Sequence, residues 1–142
     1  MSTDRAQDGP QRQRLEALVQ RLTDAELGTA LNDGWTVAAV LAHLAFWDRR
    51  ALNLVERWQQ KGIGRSDADV DAINDAAKAQ WLALPPRVAA QQAVEVARAV
   101  DAALDAAPDL VEQIVAIGYP INPSRAVHRR EHLDEIERAL AR

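Results

Sequence analysis

Apolar residues recur along this chain at three- and four-residue intervals, the spacing of one buried face of a helix. Leu15, Leu18, Val19 and Leu22 form the first such stripe, and Pro10 suits its opening turn. The polar stretch before it, residues 1–9, carries no apolar anchor and is expected to be a flexible N-terminus. The second stripe is the longest. Thr36 is placed to cap it, Gly62 and Gly64 to stop it, and Val37, Val40, Leu41, Leu44, Ala51, Leu52 and Val55 make a broad apolar face between them. Ser66 and Asp69 read as a capping box with the shorter acid, followed by Val70, Ile73, Ala77, Trp81 and Leu84. Pro85 and Pro86 interrupt that arm, and Val88, Gln92, Val96, Val100 and Leu104 resume the spacing to about Ala107.

The segment from Pro108 to Pro120 reads as a connection, or as a short extra helix lying over one end of the molecule, with Leu110, Val111, Ile114, Val115 and Ile117 as an apolar patch. Asn122 and Pro123 then suit the cap and first position of a last helix that points Leu133, Ile136 and Leu140 to the core. Four principal helices with mostly short connections predict an all-α four-helix bundle, one domain over residues 10–142. The alternative is a five-helix fold in which the segments flanking Pro85 are independent.

Composition supports this. The chain has 142 residues, much alanine, and six each of glycine and proline, without long β-branched runs. A net charge of −4 offers no basic surface for nucleic acid. Cysteine is absent, which removes disulfides, thiolate metal sites and a cysteine nucleophile together. No apolar run approaches the roughly 20 residues of a membrane span and no signal-peptide pattern opens the chain, so a cytoplasmic location without membrane contact is expected.

The candidate chemistry lies in three histidines. His128 and His132 are four residues apart, so on a helix both imidazoles leave one face about a turn apart, as a chelated divalent metal requires. Arg129 follows the first of them, so the H-E-x-x-H motif of zinc proteases is not present. His43 sits on the flank of the second stripe, where an imidazole reaches between helices, although a single histidine on such a face is more often structural. Three neutral imidazoles with an open position would form a catalytic-type site for zinc, nickel, iron or copper. Trp35 and Trp47 are candidate pocket walls; packing in the core explains Trp47 and Trp81 equally well, and Trp58 reads as half exposed near a helix end. Tyr119 and Asn122 are a candidate pocket rim. Arg49, Arg50, Arg125, Arg129 and Arg130 read either as a face for an anionic substrate or, by preference, as a solvated face with i, i+4 partners such as Arg130–Asp134.

Three pieces of the chain carry a resemblance: GWTVAAVLAHLAFWD (Gly34 to Asp48), VDAIND (Val70 to Asp75) and AVHRREHLDEI (Ala126 to Ile136), with W-x7-H early and H-x3-H late. Together they resemble the DinB-like superfamily, metal-binding four-helix bundles grouped with DNA-damage-inducible proteins and with the N-terminal domain of mycothiol-dependent maleylpyruvate isomerase. The resemblance implies a three-histidine site made by His43, His128 and His132, holding a divalent metal, with zinc or nickel expected. It further implies a small-molecule substrate and a low-molecular-weight thiol (mycothiol, bacillithiol or glutathione) as cofactor or cosubstrate of an S-transferase or isomerase, and a homodimer. The rival expectations are a non-catalytic metal-binding or stress-response bundle and a metal-dependent hydrolase. The separate C-terminal domain of maleylpyruvate isomerase has no counterpart here, which counts against that particular reaction.

Overall fold

A computed structural model describes residues 3–118 and 120–141. Thr36 starts the helix around which the others pack: its Oγ1 accepts the Ala39 N–H at 3.1 Å, and the chain then runs helical from Val37 to Lys61. Gly62 ends it with φ +80°, a conformation in which a side chain would be strained. This helix, α3, follows α1 (Asp8–Arg21) and the short α2 (Asp24–Leu27), and precedes α4 (Val70–Ala83), α5 (Pro86–Asp105), α6 (Pro108–Ile117) and α7 (Ala126–Leu140). No strand occurs among the described residues.

The bundle consists of α1, α3, α5 and α7. The most extensive interface joins α3 to α5, with α1 on α5 and α7 against both α1 and α3. Its main core is built from Leu15, Leu18, Leu41, Leu44, Leu133 and Ile136 together with small residues, Ala89, Ala93 and Ala97, that let α5 approach α3 closely. A second core, around Val55, Trp58, Leu104, Leu110 and Ile114, closes the far end under α6. The 108–120 segment therefore contains a true helix, turning Leu110 and Ile114 inward while Val115 and Ile117 stay exposed. This cover also explains Trp58, expected half exposed but only 3% accessible.

The prolines separate two independent helices. Pro86 is the first residue of α5, and α4 leans on the flank of α3 with Trp81 as its buried residue. Asp69 caps α4 alone, accepting the Ala72 N–H at 3.1 Å; Ser66, expected to share that box, accepts from Arg50 instead.

Two terminal expectations need correction. Residues 1–9 do not all lie loose before the fold: α1 begins at Asp8, which is 2% exposed, and Arg5 donates Nε to Asp8 at 3.0 Å. Asn122 and Pro123 do not open α7 either, since Asn122 Oδ1 accepts the Ser124 N–H and the helix starts at Ala126. The cap comes from Asp8, whose Oδ1 accepts from Ser124 Oγ (3.1 Å), Arg125 N (3.0 Å) and Ala126 N (3.1 Å). A carboxylate from one helix thus satisfies the otherwise orphaned N–H groups of another.

Candidate metal centre

His43 lies on the second turn of α3, while His128 and His132 lie on the first two turns of α7. The packing of these two helices brings all three rings together, with centroids 5.0 Å apart for His43–His128, 4.9 Å for His43–His132 and 4.9 Å for His128–His132. The Nε2 atoms of His43 and His128 face each other at 3.0 Å. Two nitrogens each bound at about 2.0–2.1 Å to one ion, at angles from a right angle to tetrahedral, are about 2.8–3.4 Å apart, so this pair fits a common ion. One nitrogen from each imidazole falls within 4.8 Å of the others, and among the described residues no carboxylate joins the group.

The electrostatics favour ligation. Burial pushes the pKa of His43 down to about 4, aided by the nearby His132, and burial lowers His128 further, with His132 and His43 adding to it. Burial also lowers His132, partly offset by Glu135 and Glu131. All three rings are therefore neutral at pH 7, the form that ligates a metal. The Nδ1 atoms of His43 and His132 are buried without a hydrogen-bond partner, and Glu135 Oε1 stands 3.8 Å from the latter. The donor set is all imidazole nitrogen, suited to zinc, nickel, copper or iron.

A cavity of about 680 Å³ opens directly over the histidines. Trp35 and Trp47 line it. Trp35 sets its ring edge-on to His43 at 5.9 Å, and Trp81 does the same from the core at 5.3 Å, so two indoles fix the imidazole plane. Trp47 is not in the core; it is partly exposed in the cavity wall, where its Nε1 donates to Asn74 Oδ1 at 2.8 Å. Asn122, expected at the rim, lines the cavity, and Tyr119, expected beside it, lies outside the described residues.

The model of the mycothiol maleylpyruvate isomerase N-terminal domain matches residues 9–137. The chain belongs to this family. No curated protein matches it, and no solved structure does.

In this mycothiol maleylpyruvate isomerase N-terminal-type domain, the helix carrying two of the histidines is clamped from below by buried charges. Arg129 is 1% exposed and donates Nη1 and Nη2 to Asp101 at 2.8 Å each, and Nη2 to Asp48 at 3.2 Å. Arg125 donates Nε to the other oxygen of Asp48 at 2.8 Å. Arg12 adds a third guanidinium, 2.6 Å from Asp101. The reading of the arginines as a solvated face holds for Arg49 and Arg130, which are exposed, but not for Arg125 and Arg129. Sequence reasoning missed Asp8, Asp48 and Asp101 as their partners. A signal was present: Arg129 shares an i, i+4, i+7 stripe with Leu133 and Ile136, so a charge interrupts an apolar face. Asn74 was also missed, although it lies within the VDAIND segment.

No helix among the described residues is long and apolar enough to cross a membrane.

Proposed function

We propose that His43, His128 and His132 hold a divalent metal ion, zinc or nickel by preference, and that the cavity above them is the site of a metal-dependent thiol S-transferase or isomerase. The observation that carries this is the convergence of three neutral imidazoles on the floor of an open cavity, with no carboxylate in the group. An ion serving only to tie α3 to α7 would need no such access, which is why the catalytic reading is preferred to a structural one. When bound, the ion would act as a Lewis acid that keeps a low-molecular-weight thiol in its thiolate form at neutral pH.

The remaining roles belong to the chain. His43 is oriented by the edges of Trp35 and Trp81, so little reorganisation is needed for ligation. Trp35, Trp47 and Val40 give the cavity apolar walls that exclude water from one side of the reacting groups. Asn74 holds the Trp47 indole in place. Glu131 and Glu135 line the same cavity beside His132 and are positioned to take a proton released there. The description of the family names mycothiol, and a thiol of that general kind is the cosubstrate this reading requires.

Elemental analysis of untagged protein tests the proposal. About one ion per chain is expected in the wild type and none in His128→Ala, with thiol conjugation then assayed on the loaded protein. A wild type that takes up no ion after incubation with zinc and with nickel defeats the reading.

A further inference from the structure

A second cavity of about 330 Å³ adjoins the first and shares Trp47, Val70, Asn122 and Arg125 with it. Two guanidiniums line it. Arg125 is anchored through Nε to Asp48 and through Nη1 to the Asn122 carbonyl oxygen at 3.3 Å. Arg50 is half buried, with its guanidinium carbon 5.8 Å from the centroid of the Trp47 ring and one nitrogen, Nη2, donating to the carbonyl oxygen and hydroxyl of Ser66.

These two cations differ in one respect. Arg125 has a carboxylate partner, whereas Arg50 has none among the described residues. Asp67 also lines this cavity, but its ion-pair partner is Arg65, at 3.3 Å. Burial and the neighbouring Arg125 charge both lower the pKa of Arg50, as expected where a guanidinium loses water without gaining an anion. It remains charged at any working pH. A half-buried cation fixed by a ring face and two neutral acceptors, with its other N–H groups uncommitted, is a receptor for an anionic group.

Position gives the site its meaning. His43, Trp47 and Arg50 fall at i, i+4 and i+7 on α3, so they share one stripe and span about 10 Å of helix axis. A small molecule with one end at the histidines and its body along Trp47 brings its other end to Arg50. We infer that Arg50, with Arg125 beside it, is an anion subsite that binds a carboxylate or phosphate carried on the substrate or cosubstrate whose reacting end lies at the histidines. This inference rests on the proposed metal site for what occupies the other end.

Two straight-chain probes test it, mercaptohexanoate and the uncharged mercaptohexanol, each titrated into cobalt-loaded protein and followed by the sulfur-to-cobalt charge-transfer band. The acid is expected to bind the wild type about ten-fold or more tightly than the alcohol, as a charge-assisted contact to a pre-positioned guanidinium provides. In Arg50→Gln the preference should fall to about two-fold or less, while the alcohol's affinity, the cobalt content and the circular dichroism stay as in the wild type. Equal affinities in the wild type, or a ten-fold preference that survives in Arg50→Gln, overturn the inference. A protein that takes up no cobalt defeats the metal reading but leaves a separate arm for the anion subsite. Hexanedioate is then titrated into metal-free protein and the Arg50 Nε–H resonance followed; a saturable shift supports the subsite, and no shift overturns it. In cobalt-loaded protein, hexanedioate that still shifts this resonance once the thiol position is filled by mercaptohexanol places the anionic group on the electrophile, and hexanedioate excluded by bound mercaptohexanol places it on the thiol.

Discussion

The carboxylate of Asp8 accepts the backbone N–H of Ala126 at 3.1 Å, so the first residue of α1 caps the first residue of α7. The helix carrying His128 and His132 has no capping side chain of its own. Its start is fixed by a residue more than a hundred positions earlier in the chain.

Removing that cap should therefore weaken more than the N-terminus. Asp8→Ala strips acceptors from two buried N–H groups and from the Ser124 hydroxyl, at a cost of about 1–3 kcal/mol in urea denaturation. Zinc affinity should fall with it, since the first turn of α7 frays. Asp8→Asn keeps an oxygen able to accept these bonds and removes the repulsion from Asp101 that, after burial, most raises the Asp8 pKa; its loss should be the smaller of the two. Equal losses would show that the charge, not the acceptor, matters.

Arg129→Met leaves Asp48 and Asp101 facing each other's surroundings without their shared guanidinium. A loss of about 1–3 kcal/mol is expected, because Asp48 keeps Arg125 and Asp101 keeps Arg12 while each buried carboxylate loses its hydrogen bonds to the shared guanidinium. Arg129→Lys keeps the charge but cannot reach both acids with a planar fork, and should fall between. Denaturant midpoints for the pair, measured at neutral pH, check the order.

The metal-free protein should lose stability as the solution is acidified from about pH 6.5 towards pH 4. The folded-state pKa of His43 is lowered to about 4, and those of His128 and His132 are also lowered, so between the two values the unfolded chain takes up protons that the folded one refuses. Stability is then complete above the unfolded pKa and is lost as pH falls, with about 3 kcal/mol at stake for His43 alone. Thermal melts across this range should show a slope that His43→Gln flattens.

Zinc should stabilise the wild type and not the histidine variants. At a free concentration a hundred times its Kd, a ligand that binds only the folded state adds about 2.7 kcal/mol. A rise in melting temperature with zinc that is absent in His132→Ala supports ligation by all three rings; an equal rise in both would place the ion elsewhere. Because the imidazoles are already neutral, binding at pH 7.5 should release few protons, which calorimetry in buffers of different ionisation enthalpy measures directly.

Much of the bundle was legible because α1, α3, α5 and α7 each keep a continuous apolar stripe, and the histidine cluster because His128 and His132 must share a face whenever that segment is helical. What periodicity could not supply was partnership across elements. Asp48 lies between Leu44 and Ala51 on a buried face of α3, and only the approach of α7 shows that Arg125 and Arg129 compensate it. Trp58 looked half exposed because α6 was not yet folded over it. The start of α7 was misplaced for the same reason: local signals at Asn122 and Pro123 were outweighed by a distant carboxylate.

The separation of the three histidines along the chain sets the order in which the cluster comes into being. His43 and His128 are 85 residues apart, and α7 follows every helix it docks against. During synthesis α3 emerges with a single imidazole, which binds a divalent ion weakly, and the other two arrive together on one element with the arginines that clamp it. A nascent chain therefore holds no three-histidine cluster until α7 has seated against α3. On the proposed reading, capture of a metal by all three rings would come late and report a finished bundle.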